Sequence, residues 1–225
     1  MKYTLQQPPT PVEGLVFHDE WNGKPIHKYR WTEPGSNVSL WVPHSITKVV
    51  KQLSTYEQEQ INSTRHIWEP RGVTVHQALD DYCKGNPVDK GDYSDWVDPC
   101  LKHPFWQCWQ PVVTEYSVID TRYMIAGRFD GLFINTNPNS RFHDQLLLLD
   151  YKTQSSETSR PYSSVWKQLG GYCNLLDQCK KLVVPLVGTM WVRPGKTTVD
   201  IREATDPIND YLAARSLYLE SQPNF

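Results

Sequence analysis

The sequence predicts an α/β protein with a mixed central β-sheet flanked by helices, and two observations support this. Three successive segments, 111–119, 123–135 and 145–153, are rich in β-branched or aromatic residues or contain continuous apolar runs, which is typical of strands. Helical patterns precede these strands, and a helix, two more strands and a further helix follow them. That order favours a single sheet with helices packed on it.

Length and composition predict one domain that spans the whole chain. A chain of 225 residues is long enough for one substantial hydrophobic core. Residues 1–43 are rich in Pro, Gly and Trp, and we expect an N-terminal arm with short strands near 15–18 and 39–42. Residues 44–110 are predicted to form a helical region, and residues 111–225 to form the α/β core.

Three helices are expected in the helical region, each with its own boundary signal. Ser45 is a good N-cap for the first of them. The second is polar and is predicted over residues 56–66. The third is predicted from residue 71 to Gly85, because glycine tolerates the left-handed conformation that ends many helices. The face that this helix buries is expected to carry Val75, Leu79 and Tyr82.

The segment before the three strands is predicted to be irregular, whereas the segments after them are predicted to form regular helices and strands. Segment 89–110 contains three tryptophans and two prolines, so an irregular or broken helix is expected there. After the strands we predict a helix over 161–178, strands over 182–192 and 197–203, and an amphipathic helix over 206–220. Strands that alternate with helices in this way indicate a sheet covered by helices.

Composition and charge exclude several classes of protein. The longest apolar run, 146–149, is far too short for a membrane helix, and the first residues lack the apolar stretch of a secretory signal. The 5 cysteines include no CxxC pair, so we expect free thiols in an intracellular protein, cytoplasmic in a bacterium or phage-infected cell. The net charge of −2 argues against wrapping of nucleic acid by a general basic excess, but it is compatible with a local basic track.

Asp150 and Lys152 end the most apolar of the predicted strands, LLLLDYKT. Because side chains alternate along a strand, these two residues point to the same side. An Asp or Lys buried there without a partner is costly. The pattern fits a catalytic pair, and it also fits an ordinary ion pair where a buried strand reaches solvent.

Asp130 lies on the preceding strand, between Gly127 and Gly131. Glycine inside a strand often marks a bulge or a close approach of another segment, although this pattern also fits an aspartate at a hairpin turn. If the two strands pair, Asp130 and Asp150 converge, and such a pair of carboxylates requires a cation, for which Mg²⁺ is suited. Lys152 beside that cation would orient and help to deprotonate a water, or neutralise charge on a phosphoryl oxygen.

Gln168, Tyr172 and His76 are further candidates on helices. Gln168 and Tyr172 are four residues apart and share one helical face, which is expected to turn towards the site and to bond a phosphate or the lysine. The same two residues also fit an ordinary surface Gln and core Tyr. His76 lies on the apolar side of its helix, where a lone histidine is usually a core residue with satisfied hydrogen bonds.

Four short motifs occur in a fixed order along the chain. They are Gly72-x-x-x-His76, Gly127-Arg-Phe-Asp130, Asp150-Tyr-Lys152-Thr153 and Gln168-x-x-x-Tyr172. Together they resemble the RecB-like branch of the PD-(D/E)XK nuclease superfamily, which includes small phage and bacterial exonucleases and proteins like the mitochondrial genome maintenance exonuclease. The resemblance covers residues 41–195, and it departs from the family at 71–73, where Gly-Thr is common.

The resemblance implies a restriction-endonuclease-like core with an N-terminal helical region. It implies Mg²⁺ or Mn²⁺ as the cofactor, held by Asp130, Asp150, His76 and the backbone carbonyl of Tyr151. Lys152 would be the catalytic lysine. The supporting or DNA-contacting residues would be Gln168, Tyr172 and Glu115, although Glu115 fits a strand-edge salt bridge equally well. No iron–sulfur cluster is expected, because the cysteines lack the spacing that cluster-bearing relatives have.

The function that these expectations describe is a divalent-metal-dependent deoxyribonuclease. The resemblance favours an exonuclease that acts on single-stranded or end-containing DNA in replication, recombination or repair, with recombination or replication proteins as partners. Two alternatives stay open. One is a catalytically inactive nucleic-acid-binding or assembly module with the same fold, since fold alone does not certify activity. The other is an endonuclease of the same superfamily.

Overall fold

The computed structural model describes residues 8–22 and 24–222. The arm contains a three-stranded antiparallel sheet whose strands, in order, are β1 (Leu15–Trp21), β2 (Lys24–Thr32) and β3 (Ser39–Trp41). The two arm strands that the sequence predicts are present as β1 and β3. The strand between them was not predicted, because its alternating pattern is interrupted by charged residues and its partners are known only from the fold.

The helical region follows a two-residue strand that joins the main sheet. Its elements are β4 (His44–Ser45), α1 (Ile46–Lys51), α2 (Thr55–Ser63), α3 (Arg65–Lys84), α4 (Ser94–Leu101) and short 3₁₀ segments at Gly91–Tyr93 and Pro104–Gln107. The predicted N-cap is confirmed, because Ser45 Oγ accepts a hydrogen bond from the backbone N of Lys48 at 3.2 Å. The predicted stop at Gly85 is also confirmed, with φ of 72°.

Two details of α3 differ from the prediction. The helix begins at Arg65, six residues before the predicted start, and it accommodates Pro70 within its second turn. Tyr82 was wrongly assigned to the buried face, since it is 39% exposed and its ring meets the edge of Trp106 at 5.1 Å between centroids. A large aromatic ring can pack sideways against a neighbouring loop, so apolar spacing alone does not decide its burial.

The main sheet is mixed, as predicted. Its long strands are β5 (Trp109–Asp120), β6 (Ile125–Asn135), β7 (Leu146–Thr153), β8 (Leu186–Arg193) and β9 (Lys196–Glu203). They lie side by side in chain order, and β4 pairs with the start of β6. The β7–β8 and β4–β6 pairs are parallel, whereas the other pairs are antiparallel. This arrangement confirms the predicted α/β class with a mixed central sheet.

Helices cover both faces of the sheet. The two remaining helices are α5 (Ser164–Lys180) and α6 (Thr205–Glu220). Leu146 and Leu148 pack with α1, α5 and α6, whereas Leu147 and Leu149 pack with α3 and α4 on the opposite face. The run of leucines is therefore buried on both sides, as a central strand requires. Among the helices formed by residues 8–22 and 24–222, none is long and apolar enough to cross a membrane.

Candidate metal centre

The candidate site lies where the pairing between β6 and β7 ends. The last paired residues are Gly131 and Leu149, so Asp130, in the middle of β6, and Asp150, near the end of β7, are the next residues beyond this pairing. At this point Asp130 Oδ2 accepts a hydrogen bond from the backbone N of Tyr151 at 2.6 Å. The carboxylate thus accepts the hydrogen bond that a backbone carbonyl of β6 would accept if the pairing continued. Beyond this point β7 remains paired with β8. Sheet topology therefore brings the two aspartates together.

A group of three ligand-type side chains surrounds this point of β6. Ligand atoms of His76, Glu115 and Asp130 all lie within 4.8 Å of one another. His76 Nδ1 is 3.3 Å from Asp130 Oδ1, and its ring meets the ring of Tyr151 edge-on at 5.7 Å. Among the residues that the structure describes, Asp150 is not a member of this close group. The three come from α3, β5 and β6, so the centre joins the helical region to the sheet.

Glu115 reaches the group through an irregularity in β5. Its neighbours in the strand pair regularly with β6, Thr114 with Gly131 and Tyr116 with Phe129, which places Glu115 opposite Asp130. Its φ of 49° is unusual for a residue other than glycine. A backbone in this region redirects the side chain, and such outliers are concentrated at functional sites.

Asp150 and Lys152 form a buried ion pair beside the group. Lys152 Nζ lies 2.5 Å from Asp150 Oδ2, and Asp150 is only 2% exposed. Within the described part of the chain, this oxygen has no hydrogen bond of regular geometry, nor does Oγ1 of Thr189, which is paired with Asp150 on β8. A buried carboxylate oxygen without a well-formed hydrogen bond is unfavourable unless a further group satisfies it.

The electrostatics of the site are those of crowded carboxylates. Burial and repulsion by Asp130 raise the pKa of Asp150 to about 6, against the attraction of Lys152. Burial and repulsion by Asp130 likewise raise the pKa of Glu115 to about 7. Burial lowers the pKa of His76, but the Asp130 carboxylate raises it by more, so the net shift is upward. Near neutral pH the site therefore retains protons that a cation would replace.

The donor set fits a hard divalent cation. Carboxylate oxygens are the ligands that Mg²⁺ and Mn²⁺ prefer, and imidazole is accepted by Mn²⁺. His76, Glu115 and Asp130 are the residues that would hold the ion, with Asp150 adjacent to them. The family resemblance implies the backbone carbonyl of Tyr151 as a metal ligand. In the structure, the contact that Tyr151 makes with the site through its backbone is the hydrogen bond from its N–H to Asp130.

Gln168 and Tyr172 are brought to the site but bond to each other. Gln168 Nε2 donates to Tyr172 Oη at 2.9 Å, and both side chains are buried. The Tyr172 ring lies against Gly127, where a Cβ would come within 2.6 Å of Cε1 of the ring. This pair therefore packs α5 against β6 behind the carboxylates, and Gln168 has no hydrogen bond to Lys152.

Lys51 and Tyr162 are two residues near the site that the sequence did not predict. Burial lowers the pKa of Lys51, and repulsion by the charge of Lys152 lowers it further, whereas Asp150 opposes that shift. Burial raises the pKa of Tyr162, while Lys152 opposes that shift. Lys51 ends a short helix and Tyr162 lies in a loop, and neither position carries a sequence pattern that indicates proximity to β7.

Comparisons with known proteins do not assign this chain to a family. No family model matches the chain, and no curated protein matches it. Among solved structures, the chain is similar to the crystal structure of SSO0001, with 16% sequence identity and a TM-score of 0.43. That similarity covers 80% of this chain and 78% of the other. A likeness of this size carries no argument about function, so any functional conclusion depends on the site itself.

Proposed function

We propose that this protein is a divalent-metal-dependent nuclease that hydrolyses DNA phosphodiester bonds. One observation carries the proposal: His76, Glu115 and Asp130 converge within 4.8 Å of one another, beside the buried Asp150–Lys152 ion pair. An ordinary ion pair at a strand end would need no such cluster. Several ionisable groups from separate elements, buried together with strongly shifted pKa values, are typical of a catalytic centre.

Each residue has a distinct part in this mechanism. A bound Mg²⁺ or Mn²⁺ would polarise the phosphate and lower the pKa of the attacking water. Asp130, Glu115 and His76 would hold that ion, and Tyr151 fixes the Asp130 carboxylate through its backbone N–H. Lys152, whose pKa Asp150 raises above its ordinary value despite burial, stays protonated. It therefore acts by orienting the water and stabilising negative charge on the phosphoryl oxygens.

The surroundings support a nucleic-acid substrate. A cavity of about 690 Å³ adjoins Lys51 and is lined by Lys48, Trp68 and Tyr218 among others. Cationic and aromatic side chains in one groove suit a phosphate backbone and exposed bases. This local basic track is compatible with a net charge of −2. We infer an exonuclease for single-stranded or end-containing DNA that acts inside the cell in replication, recombination or repair, together with the proteins of those processes.

The test is degradation of end-labelled single- and double-stranded DNA with Mg²⁺ or Mn²⁺. We expect Lys152→Ala and Asp130→Asn to lower the rate by at least about a hundredfold, since positioned proton-transfer and electrostatic groups contribute that much. The matched control is Lys90→Ala, which breaks another Lys–Asp pair at 2.5 Å, formed with Asp98 of α4. This variant should retain full activity.

The products and the failures are equally informative. A ladder that shortens from one end identifies an exonuclease and its polarity, whereas internal fragments from circular DNA identify an endonuclease. Cleavage that survives both substitutions contradicts the assigned site. DNA binding without cleavage in either metal contradicts the nuclease and leaves a binding or assembly module.

A further inference from the structure

Arg71 is a buried cation without a carboxylate partner among the residues that the structure describes. It lies on α3 and is only 7% exposed. Its Nε is buried and has no hydrogen bond to any described residue. Its guanidinium carbon lies 5.5 Å from the centroid of the Trp96 ring. Cation–π contact offsets only part of the cost of removing a guanidinium from water.

An arginine buried in this way needs an acceptor from elsewhere. Other arginines of the chain have such acceptors: Arg193 donates to Ser159 O, Arg128 pairs with Glu115 and Arg215 pairs with Asp120. Within the described ranges, Arg71 Nε has no such acceptor, and the residue lines a cavity instead. The missing acceptor is therefore expected to be a ligand that enters the cavity.

The cavity that Arg71 lines has a volume of about 560 Å³. Its wall also carries the cationic Arg160, the aromatic Trp68 and the hydroxyl groups of Thr153, Ser155 and Ser159. Two guanidinium groups and several hydroxyls are donors for a tetrahedral oxyanion. Trp68 lines the cavity beside Lys51 as well, so the two cavities meet at this ring.

The cavity adjoins the catalytic residues on two elements. Thr153 lies two residues after Tyr151 in β7 and so points to the same face as Tyr151, whose ring meets that of His76. Thr153 Oγ1 also lies beside α3, 4.0 Å from the position of a Cβ at Gly72. Arg71 precedes His76 by five residues on α3, a separation of about 7.5 Å along the helix axis. A group held by Arg71 and Thr153 would therefore lie next to a phosphate at the metal centre, at a distance that a short stretch of nucleic-acid backbone spans.

We propose that Arg71, Arg160 and Thr153 form a phosphate-binding subsite for the nucleotide next to the cleaved bond, an inference that rests on the proposed nuclease function. The phosphate is either the terminal monoester of a strand or an internal diester of the backbone. Trp68 provides a face on which the attached base stacks. The subsite positions the strand, while the metal centre performs the chemistry.

The test uses the full chain in EDTA, so that no cleavage occurs. Inorganic phosphate and 5′-phosphorylated, 3′-phosphorylated and unphosphorylated single-stranded oligonucleotides are the probes, measured by thermal shift and fluorescence anisotropy. We expect Arg71→Met to weaken oligonucleotide binding by about ten- to a hundredfold, which is the range for one charge-assisted contact. The matched control is Arg65→Met on the same helix, whose guanidinium is exposed and paired with Glu69.

Folding does not obscure the result. Removal of an unpaired buried charge is expected to leave the melting temperature of the phosphate-free protein unchanged or higher. Arg160→Met, at an exposed position, supplies a second variant that should weaken the same probes. Preference for one phosphorylated end identifies a terminal phosphate, and equal loss for all oligonucleotides identifies an internal one.

Equal binding of every probe by the wild type and by both variants overturns the subsite. Because these measurements require no catalysis, they are independent of the nuclease assay. Arg71-dependent phosphate binding in a protein that never cleaves DNA would contradict the proposed function but support the subsite. DNA cleavage by a protein whose oligonucleotide binding is unchanged by Arg71→Met would support the proposed function and contradict the subsite.

Discussion

Glu115 illustrates how a single residue completes the centre. A left-handed backbone at a residue other than glycine costs on the order of 1–3 kcal/mol, so surrounding contacts must hold it. Arg128 Nε lies 2.9 Å from Glu115 Oε2 in an ion pair, and the Arg128 guanidinium lies 4.0 Å from the ring centroid of Phe17 in the arm. The arm sheet therefore helps to hold a candidate metal ligand through one intervening arginine.

Substitution of this ligand has a defined consequence. We expect Glu115→Gln to weaken Mn²⁺ binding by at least about tenfold, because a neutral amide replaces a charged oxygen donor. Isothermal titration with Mn²⁺ measures this effect. Glu203→Gln, at an exposed position of β9, is the matched control and should bind as the wild type does. Unchanged affinity in Glu115→Gln would remove Glu115 from the centre.

Residues of the site differ in how far the sequence could predict them. Asp130, Asp150 and Lys152 lie on neighbouring strands whose apolar pattern is clear, so their convergence follows from strand pairing. The direction of the Glu115 side chain depends on one backbone angle. Whether Arg71 has a hydrogen-bond partner depends on which of the described side chains surround its guanidinium. Neither property has a local sequence pattern, because both arise from tertiary packing.

At the scale of elements, the contact between α5 and α6 is set by one glycine. A Cβ at Gly170 would lie 1.9 Å from the carbonyl oxygen of Pro207, which is backbone and cannot rotate away. Gly171 beside it faces Ile46 and Tyr211, and a Cβ at Gly171 would lie 2.9 Å from each of these side chains. The two helices thus approach one another, and α1, more closely than larger residues would permit.

We therefore expect Gly170→Ala to destabilise the protein by about 1–3 kcal/mol or more, the range for overpacking. Urea denaturation measures the change in the free energy of unfolding. The matched control is Gly72→Ala in α3, where the added methyl would meet only Thr153 Oγ1 at 4.0 Å. That control should gain up to about 1 kcal/mol, since alanine is the better helix former. Equal effects of the two substitutions would contradict the close contact.

Helices and strands with a strong periodic pattern of apolar residues could be predicted from the sequence. Those that form because of contacts with neighbouring elements could not. The strands β5, β6 and β7 follow from segments rich in β-branched, aromatic or apolar residues, and the helix α5 follows from the spacing of its apolar residues. The arm strand β2 and the early start of α3 depend on neighbours that a single sequence does not reveal. Proline near the start of a helix is one such case, because its effect depends on whether the preceding turn can bend.

At the scale of the whole molecule, the ionisable groups of the candidate metal centre couple stability to pH. The pKa values of Glu115 and Asp150 are raised to about 7 and about 6 from the ordinary values of 4.5 and 3.8, and that of His76 is also raised. Through these three groups the folded protein binds more protons than the unfolded chain between about pH 4 and pH 7, and the lowered pKa values of Asp130, His44 and His103 oppose part of this effect. The stability that Glu115, Asp150 and His76 contribute is present at low pH and is lost as pH rises through their pKa values.

The metal-free protein is thus expected to melt at a higher temperature at pH 5 than at pH 8. Excess Mn²⁺ should raise the melting temperature most at pH 8, because cations and protons compete for the same carboxylates. Differential scanning calorimetry with and without EDTA measures both effects. The double variant Glu115→Gln and Asp150→Asn should show a smaller dependence on pH. A metal-free protein that is more stable at pH 8 would contradict this account.

The bond between Asp130 and the Tyr151 amide links the site to the backbone of the sheet. Oδ1 of this carboxylate faces His76 while Oδ2 accepts the amide proton. A cation that draws electron density from the carboxylate weakens it as an acceptor, so the amide senses occupancy without touching the ion. The nuclear magnetic resonance frequency of one peptide group in β7 is therefore a built-in reporter of whether the centre is loaded.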